Sequence, residues 1–365
     1  MQYREYGKTG VKVSVLGFGA LRLPKKPERA VEILRRAFDL GVNYVDTAAS
    51  YPASNHGANE RLVGEALRGY RDHVYVATKN HYKGASVDEW QVYLERSLKN
   101  LGVDTIDFYH LHALRWDVYR QKLVPGGITE RFRKAKEEGV IRHTCFSSHD
   151  KPENIVKLID TGEFDGMLVQ YNLLDRANED AIAHAHEQGM GVAIMGPVGG
   201  GRLVAPSERI LGMAGEAKST PEVALRFVLS NPHVTLALSG MKTLKMVEEN
   251  AATANREGVL SAEERQRFVE AVEELQQLSD LYCTGCGYCL PCPNKVYIPG
   301  NFEALNYYRV WGLEALVCRR YKELGKNKSR RWAAACVECG ECEPKCPQNI
   351  PIREWLKEVA ATLGD

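Results

Sequence analysis

The 365-residue sequence has almost no net charge and no long apolar run. Its 48 lysines and arginines balance 47 aspartates and glutamates, which leaves a formal net charge of +1. A chain with so little net charge has no global field to attract nucleic-acid phosphates or an anionic lipid surface. No run of about eighteen apolar residues occurs, and the polar start MQYREYGKTG lacks the apolar core of a signal peptide. These absences predict a globular, cytoplasmic protein that binds neither nucleic acid nor membrane.

Cysteine is nearly missing from the first three quarters of the chain. Only Cys145 precedes residue 283, whereas eight later cysteines form two tight clusters and Cys318 stands alone between them. This change in composition follows a polar, helix-prone stretch at 261–278. It predicts one domain over residues 1–280 and a second over residues 281–365. Cys145 and Cys318 are interpreted as ordinary small apolar residues.

The first domain alternates strand and helix patterns. Short runs rich in valine, isoleucine and aromatics are separated by amphipathic stretches of helical length. The eight candidate strands are VSVLGFG, VNYVDTA, VYVATK, TIDFYHLHA, IRHTCF, GMLVQYN, GVAIMG and VTLALSG. Eight such units predict an α/β fold, the (β/α)₈ TIM barrel, with the opening segment as a β-hairpin that plugs its floor. A doubly wound open sheet is the competing fold, but no G-x-G-x-x-G motif follows the first strand.

Titratable residues lie where consecutive predicted strands end. The second strand ends at Asp46 and is followed by Tyr51, the third ends at Lys79, and the fourth carries His110 and His112. Each alone has an ordinary explanation, such as a helix-capping carboxylate or a solvated lysine. Barrel enzymes place their chemistry at this rim, so together these residues predict a catalytic site.

The same segments carry a family resemblance. The motifs VDTAASY, ATK, DFYHLH and VQYN occur in order, and over about residues 1–270 the chain resembles the aldo/keto reductases. The resemblance implies a catalytic tetrad of Asp46, Tyr51, Lys79 and His112. His112 rather than His110 occupies the last position of its motif, and His110 is expected to be a core or supporting histidine.

The chemistry of this tetrad is coherent. A carbonyl accepts hydride only if its oxygen is protonated or stabilised as charge develops. A phenol ionises near pH 10, so it needs a neighbouring ammonium to act as an acid at neutral pH, and the ammonium needs a carboxylate. Tyr51, Lys79 and Asp46 fill these roles in order, while His112 would orient the carbonyl.

The resemblance also implies a nicotinamide cofactor. The residues that it places at the cofactor are Ser147, Ser148, Gln170, Met195, Gly196, Lys242, Lys245, Glu249 and Asn250. Ser148 replaces the usual asparagine, and Met195 replaces a ring-stacking aromatic residue. Met246 stands where an arginine often holds the 2′-phosphate of NADP, with Lys242 and Lys245 nearby, so the choice between NADP and NAD stays open. Met195 and the glycines after it could equally be a packed strand end and a flexible loop.

The two cysteine runs are typical of iron-sulfur ligands. Residues 283–293 are CTGCGYCLPCP and residues 336–347 are CVECGECEPKCP, each a C-x-x-C-x-x-C run with a fourth cysteine. The predicted ligands are Cys283, Cys286, Cys289, Cys292, Cys336, Cys339, Cys342 and Cys346. Zinc is the alternative, although it prefers widely separated cysteine pairs. The segment resembles two-cluster ferredoxins, in which the fourth cysteine of each run serves the other cluster, but only two residues precede Cys292 where three are usual.

The predicted fold is therefore a TIM barrel followed by a mostly helical, ferredoxin-like domain. We expect an oxidoreductase that moves hydride between NADP or NAD and a small carbonyl or alcohol substrate. Two [4Fe-4S] clusters would support the structure or exchange electrons with a protein partner, because hydride carries two electrons and each cluster carries one. The competing hypothesis is an electron-transfer or redox-sensing protein whose barrel binds nucleotide without turnover. The complete tetrad favours the enzyme.

Overall fold

The chain packs as two compact units. The computed structural model describes residues 1–51, 55–80, 86–204, 206–212, 217–256, 261–277, 283, 287, 289–325, 330–346 and 349–364. One unit contains Met1–Gly200 with Ala224–Ala262, and the other contains Gly201–Val223 with Glu263–Asp365. A domain boundary near residue 280 stays a prediction.

The first unit contains a β-hairpin and a closed parallel barrel. The hairpin pairs β1 (Tyr3–Glu5) with β2 (Lys12–Ser14). The barrel strands are β3 (Leu16–Gly19), β4 (Tyr44–Asp46), β5 (Tyr75–Asn80), β6 (Ile106–Leu111), β7 (Ile141–Ser147), β8 (Gly166–Gln170), β9 (Gly191–Met195) and β10 (Leu236–Ser239). They pair in chain order, and β10 pairs with β3 to close the barrel. The predicted (β/α)₈ fold is confirmed, and each predicted strand overlaps an observed one.

The helices follow the strands as the amphipathic patterns predict. Those of the described residues are α1 (Pro27–Asp39), α2 (Ala58–Leu67), α3 (Val87–Leu101), α4 (Trp116–Val118), α5 (Ile128–Glu137), α6 (Pro152–Ile159), α7 (Glu179–Glu187), α8 (Glu208–Gly212), α9 (Thr220–Ser230), α10 (Leu244–Asn255), α11 (Ala262–Gln277), α12 (Ile298–Arg309), α13 (Glu314–Gly325) and α14 (Ile352–Leu363). Local chemistry sets their ends. Ser86 caps α3 by accepting from the Glu89 amide, and Gly102 ends it with a φ of 64°. None of the helices described is long and apolar enough to cross a membrane.

The hairpin closes the floor of the barrel. Tyr6, in its turn, is fully buried among core residues of the barrel strands. A Cβ atom at Gly166 or Gly191 would come within 2.3 Å or 2.1 Å of the Tyr6 ring. Only glycine leaves room for the tyrosine at these positions, so β8 and β9 are shaped to accept the plug.

Strand register arranges the barrel interior in layers of four side chains from alternate strands, as in other barrels of this kind. The lowest layer contains Tyr44, Phe108, Gly166 and Leu236, and the next contains Gly17, Ala77, Cys145 and Ala193. Above them lie Asp46, His110, Leu168 and Leu238, and then Gly19, Lys79, Ser147 and Met195. The interior therefore changes from apolar at the floor to charged at the rim. Cys145 is a buried core residue, as expected.

The second unit is mostly helical in its described residues. Its helices α12 and α14 bury Phe302, Leu305, Leu356 and Val359. Next to them, Val296 forms a parallel bridge with Arg331, and the Arg331 amide donates to the Lys295 carbonyl at 2.8 Å. This short pairing joins the segment that follows the first cysteine run to the segment that precedes the second.

Candidate active site

A buried ion pair lies at the rim of the barrel. Asp46 ends β4 and Lys79 lies on the neighbouring strand β5, with exposed fractions of 4% and 1%. The Lys79 Nζ donates to Asp46 Oδ1 at 2.5 Å and to the Thr47 carbonyl at 2.7 Å. Burial raises the pKa of the Asp46 carboxyl, and the Lys79 ammonium opposes that rise. Because neither charge faces water, each depends on the other.

Tyr51 and His112 complete the predicted tetrad. The Lys79 Nζ lies 5.2 Å from the centroid of the half-buried Tyr51 ring. The Tyr51 and His112 rings meet edge-on, with centroids 6.0 Å apart and planes at 84°. The structure thus brings together all four residues expected from the sequence. It adds Ser50, whose Oγ lies 3.5 Å from His112 Nδ1. In the sequence, only its position next to Tyr51 in VDTAASY could have indicated that Ser50 belongs to the site.

His110 lies inside the barrel rather than at the rim. It is fully buried, and its Nδ1 lies 3.4 Å from the Thr78 carbonyl oxygen. Residues two apart on a strand share a face, so His110 occupies the interior layer below His112. Burial lowers the pKa of His110 well below its ordinary value, and the charge of Lys79 adds to this effect. The imidazole is therefore neutral at physiological pH.

The residues expected at the nicotinamide lie at the ends of β7 and β8. The Ser147 Oγ accepts from the Ala113 amide at 2.9 Å, which leaves its own proton free to donate. The Ser148 Oγ donates to the Leu114 carbonyl at 2.7 Å and accepts from the Asp150 amide at 3.1 Å. Ser148 thus serves the β7 loop, a use that its sequence position alone did not reveal.

Glycines lie at the ends of three neighbouring strands, next to the strand that carries Asp46. Gly19 ends β3, Gly196 follows β9 and Gly240 follows β10, and these three strands are neighbours in the barrel. A Cβ at Gly196 would lie 3.8 Å from Gln170 Oε1, and one at Gly240 would lie 3.6 Å from the Gly19 carbonyl. Three strand ends without side chains leave space beside the tetrad. A flat ring such as nicotinamide fits this combination of open space, the Gln170 amide and the Met195 thioether.

The residues expected at the adenine end lie on or before α10. The Asn250 Nδ2 donates to the Ser239 Oγ at 3.0 Å, which ties the helix to the end of β10. Lys242 and Lys245 are exposed, and the Lys245 Nζ lies 3.7 Å from Glu249 Oε1. The two lysines are available to a phosphate only as exposed point charges. All of these cofactor-binding assignments stay predictions.

In the second unit, cysteines from both runs line one cavity. They are Cys289, Cys292, Cys336, Cys339 and Cys342. Cys283 and Cys346 are absent from the described lining, and Cys286 falls outside the described residues. Burial raises the pKa of the Cys342 thiol, and Glu343, Cys336 and Cys292 add to the rise. Cysteine is the residue type that holds an iron-sulfur cluster, which would bind these residues as thiolates. Among the described residues, no three histidine, cysteine, aspartate or glutamate side chains are arranged closely enough to hold a metal ion.

Backbone pairing explains why the two runs meet. The Tyr297 amide donates to the Arg331 carbonyl at 3.0 Å, and the Asn294 Nδ2 donates to the Ala335 carbonyl at 3.3 Å. These bonds hold the residues after Cys292 beside those before Cys336. Within the second run, the Glu338 amide donates to the Cys336 Sγ at 3.4 Å. Such N–H to sulfur bonds tune iron-sulfur clusters.

The fold and the rim residues define a class of protein, the (β/α)₈ oxidoreductases with an aspartate, tyrosine, lysine and histidine at one rim. Comparison with known proteins gives the family. Residues 15–216 match the aldo/keto reductase family and residues 282–350 match a 4Fe-4S dicluster domain. The chain belongs to the aldo/keto reductase family and carries a C-terminal 4Fe-4S dicluster domain. It is a nicotinamide-dependent oxidoreductase with an iron-sulfur domain.

Individual relatives agree with this assignment. An uncharacterized oxidoreductase of Bacillus subtilis, YqkF, is 28% identical over 292 residues, which cover 70% of this chain and 92% of the relative. The holo form of the aldo-keto reductase AKR11C1 from Bacillus halodurans matches with a TM-score of 0.66 and 29% identity, over 74% of this chain and 96% of that one. An aldo/keto reductase from Klebsiella pneumoniae in complex with NADP and acetate matches with a TM-score of 0.63 and 26% identity, over 72% and 93% of the two chains.

Proposed function

We propose that the protein reduces aldehydes or ketones, or oxidises the corresponding alcohols, with Tyr51 as the proton donor or acceptor. The observation that supports this most is the buried Asp46–Lys79 pair beside the Tyr51 ring, with His112 edge-on to the same ring. An ion pair is costly to bury, and a site that uses the ammonium gives a reason to keep it there.

Each member of the tetrad has one task. A bound nicotinamide supplies or accepts the hydride. During reduction, Tyr51 donates its hydroxyl proton to the carbonyl oxygen as negative charge develops there. The Lys79 ammonium stabilises the resulting phenolate, and Asp46 holds the ammonium in place. His112 donates a hydrogen bond to the same carbonyl oxygen and orients it.

The cofactor is NADP or NAD, bound along the open side of the rim. Ser147 and Gln170 would hold the carboxamide, and Met195 with Gly196 would cover the ring. Ser148 would take part only as an acceptor, because its proton is donated to the Leu114 carbonyl. Lys242, Lys245, Glu249 and Asn250 would hold the adenosine end. The complex of the Klebsiella pneumoniae relative with NADP supports NADP binding. Because only exposed lysines stand near the 2′-phosphate position, we propose that NADP is preferred modestly.

The second unit would hold two [4Fe-4S] clusters with crosswise ligands. Cys336, Cys339 and Cys342 would take Cys292, and the first three cysteines of the first run would take Cys346. The cavity that Cys292 shares with all three members of the second run supports the first half of this scheme. Each cluster supplies one electron at a time, so the clusters would support the fold or serve an external electron-transfer protein.

Transfer of isotope tests the catalytic proposal. The full chain, purified without oxygen, is incubated with the reduced nicotinamide cofactor, carrying two deuteriums at C4, and a panel of aldehydes and ketones. Mass spectrometry should find one deuterium in the alcohol product. Tight nucleotide binding without transfer to any carbonyl, and without oxidation of any alcohol in the reverse direction, would instead favour a nucleotide-binding redox sensor.

Metal analysis and spectroscopy test the cluster proposal. Two cubane clusters predict about eight irons and eight sulfides per chain. The Cys292→Ala and Cys339→Ala proteins should lose the same cluster, whereas Cys346→Ala should lose the other one. The Cys318→Ala protein is the matched control and should keep both. Bound zinc would contradict the scheme. So would loss of the same cluster in Cys339→Ala and Cys346→Ala.

A further inference from the structure

Two buried acceptor atoms in the barrel interior, one on Asp46 of the tetrad and one on His110, lack a hydrogen-bond partner among the described residues. The two atoms are Asp46 Oδ2 and His110 Nε2. Both residues are at least nine-tenths buried. A buried carboxylate oxygen or imidazole nitrogen without a partner costs free energy, and such groups in native proteins are nearly always satisfied by protein or by ordered water.

Strand register puts the two atoms in the same interior layer. Asp46 pairs with Ala77, and Ala77 pairs with Phe108, two residues before His110. In a barrel with the usual stagger of one residue per strand, this step places Asp46 and His110 at one height, on the strands either side of β5. Lys79, on β5, lies in the layer directly above. The two residues that carry the unpartnered atoms therefore lie in one interior layer, below the layer of Lys79.

The tautomer of His110 follows from its surroundings. Its Nδ1 faces the Thr78 carbonyl, which can only accept, so Nδ1 carries the proton of that contact. Burial keeps the ring neutral, so Nε2 carries a lone pair. Asp46 Oδ2 is an acceptor too. Two acceptors cannot bond each other, so each of them needs a donor, and one donor molecule placed between them would serve both.

The surroundings offer few other donors. The charge of Lys79 on β5 and His112 on its own strand both act on His110, and Cys145 on β7 is its register partner. By register, Asp46 on β4 lies in the same layer, and Tyr44 lies below it on β4. The Lys79 ammonium already donates to Asp46 Oδ1 and to the Thr47 carbonyl. Tyr44 lies two layers below Asp46 and His110. Its buried hydroxyl also has no hydrogen-bond partner in the part of the chain that the structure describes. One water molecule can donate to both acceptors and accept from a hydroxyl such as that of Tyr44.

We propose that an ordered water bridges Asp46 Oδ2 and His110 Nε2, and that His110 acts through this water as a positioning residue for the tetrad. The water donates to the Asp46 carboxylate and stabilises its ionised form. Asp46 then keeps its other oxygen on the Lys79 ammonium, next to Tyr51. The water site follows from the barrel alone, whereas its effect on turnover rests on the proposed function.

A crystal structure of the full chain at high resolution tests the site directly. We expect one water within about 3 Å of both Asp46 Oδ2 and His110 Nε2. A dry interior, or an Asp46 carboxylate bonded directly to His110, overturns the proposal. This result does not depend on turnover, so it separates failure of the water site from failure of the proposed function.

Variants of His110 test the positioning role. In His110→Leu the water loses one acceptor, the Asp46 carboxylate is less stabilised, and its pKa rises further. The acid limb of the kcat profile should therefore move to higher pH by about one unit, a tenfold change in protonation. His110→Gln presents an amide oxygen to the water and should restore most of the wild-type profile.

A matched histidine separates positioning from general damage. His143, on β7, faces the barrel interior near the floor, where its ring stacks on Phe108. His143→Leu should leave the acid limb where it is. If His110→Leu lowers kcat without moving the limb, or if His143→Leu moves it equally, the positioning role is wrong. Should His110→Leu fail to fold, the crystallographic water and the His110→Gln profile decide the question.

Discussion

The two units hold their reactive side chains by different means. In the barrel, Asp46 and Lys79 are fixed by strand register and by a bond between their own charges. In the second unit, the cysteines lie on loops around a cavity, and Cys339 is exposed. The barrel site is assembled by the polypeptide itself, so it is preorganised before its ligands bind. The cysteine site depends on what it binds, because free thiols attract each other little.

Removal of iron should therefore affect the two units differently. Anaerobic chelation is expected to destabilise the second unit by an amount on the order of 10 kcal/mol, as for other structural metal sites. The barrel should keep its fold and its nucleotide binding. Circular dichroism and limited proteolysis, with fragments identified by mass spectrometry, would locate the loss. Equal protease resistance of α12, α13 and α14 with and without iron would contradict the comparison.

Within the barrel, we expect the largest loss of turnover when the hydroxyl oxygen of Tyr51 is removed. Tyr51→Phe removes the proton donor and should lower kcat by about 10² to 10⁴-fold. The affinity for the nucleotide should change little, since the phenol acts only as charge develops on the substrate. Tyr70→Phe is the matched control, because the Tyr70 hydroxyl donates to Asp39 away from the rim. If turnover of Tyr51→Phe stays within a few-fold of the parent, Tyr51 is not the acid.

Breaking the buried ion pair tests whether Asp46 and Lys79 stabilise each other in the barrel. Lys79→Met leaves the Asp46 carboxylate buried without its cation, which should cost about 3 to 5 kcal/mol of unfolding free energy. The double variant Asp46→Asn with Lys79→Met should recover most of that stability and remain inactive. Denaturant titration measures both. A double variant as unstable as the single one would mean that the loss comes from packing rather than from charge.

Much of this site could be predicted from the sequence, because chain order puts consecutive strand ends at one rim. A count of strands placed Asp46, Lys79 and the two histidines of β6 at this rim, and the family resemblance selected His112. The place of His110 beneath Lys79 could not be predicted, since it depends on the register between strands. The same holds for Ser148, whose partner Leu114 lies on another loop. The resemblance to two-cluster ferredoxins predicted that Cys292 meets the second run, but not the Val296–Arg331 pairing that holds the two segments together.

The buried histidine makes the stability of the barrel depend on pH. Burial lowers the pKa of His110 below its ordinary value of 6.5, so the unfolded chain binds this proton more readily than the folded one. Unfolding free energy should fall as the pH drops below about 6.5, by up to about 1.4 kcal/mol per pH unit from this residue. His110→Gln should show a shallower slope between pH 6 and 5, as measured by urea unfolding at each pH. An unchanged slope would mean that His110 is protonated in the folded barrel.

The smallest effects are expected at the exposed lysines, where neither burial nor register helps. Lys242→Ala and Lys245→Ala should each weaken NADP binding by less than about fivefold, because exposed ion pairs contribute at most about 1 kcal/mol. NAD binding should stay the same in both variants, since NAD lacks the 2′-phosphate. Fluorescence titration with the two nucleotides measures the difference. A loss of NADP affinity greater than a hundredfold in either variant would show that the lysine is held and desolvated in the complex. In that case the nucleotide, like iron in the second unit, would order the side chains that bind it.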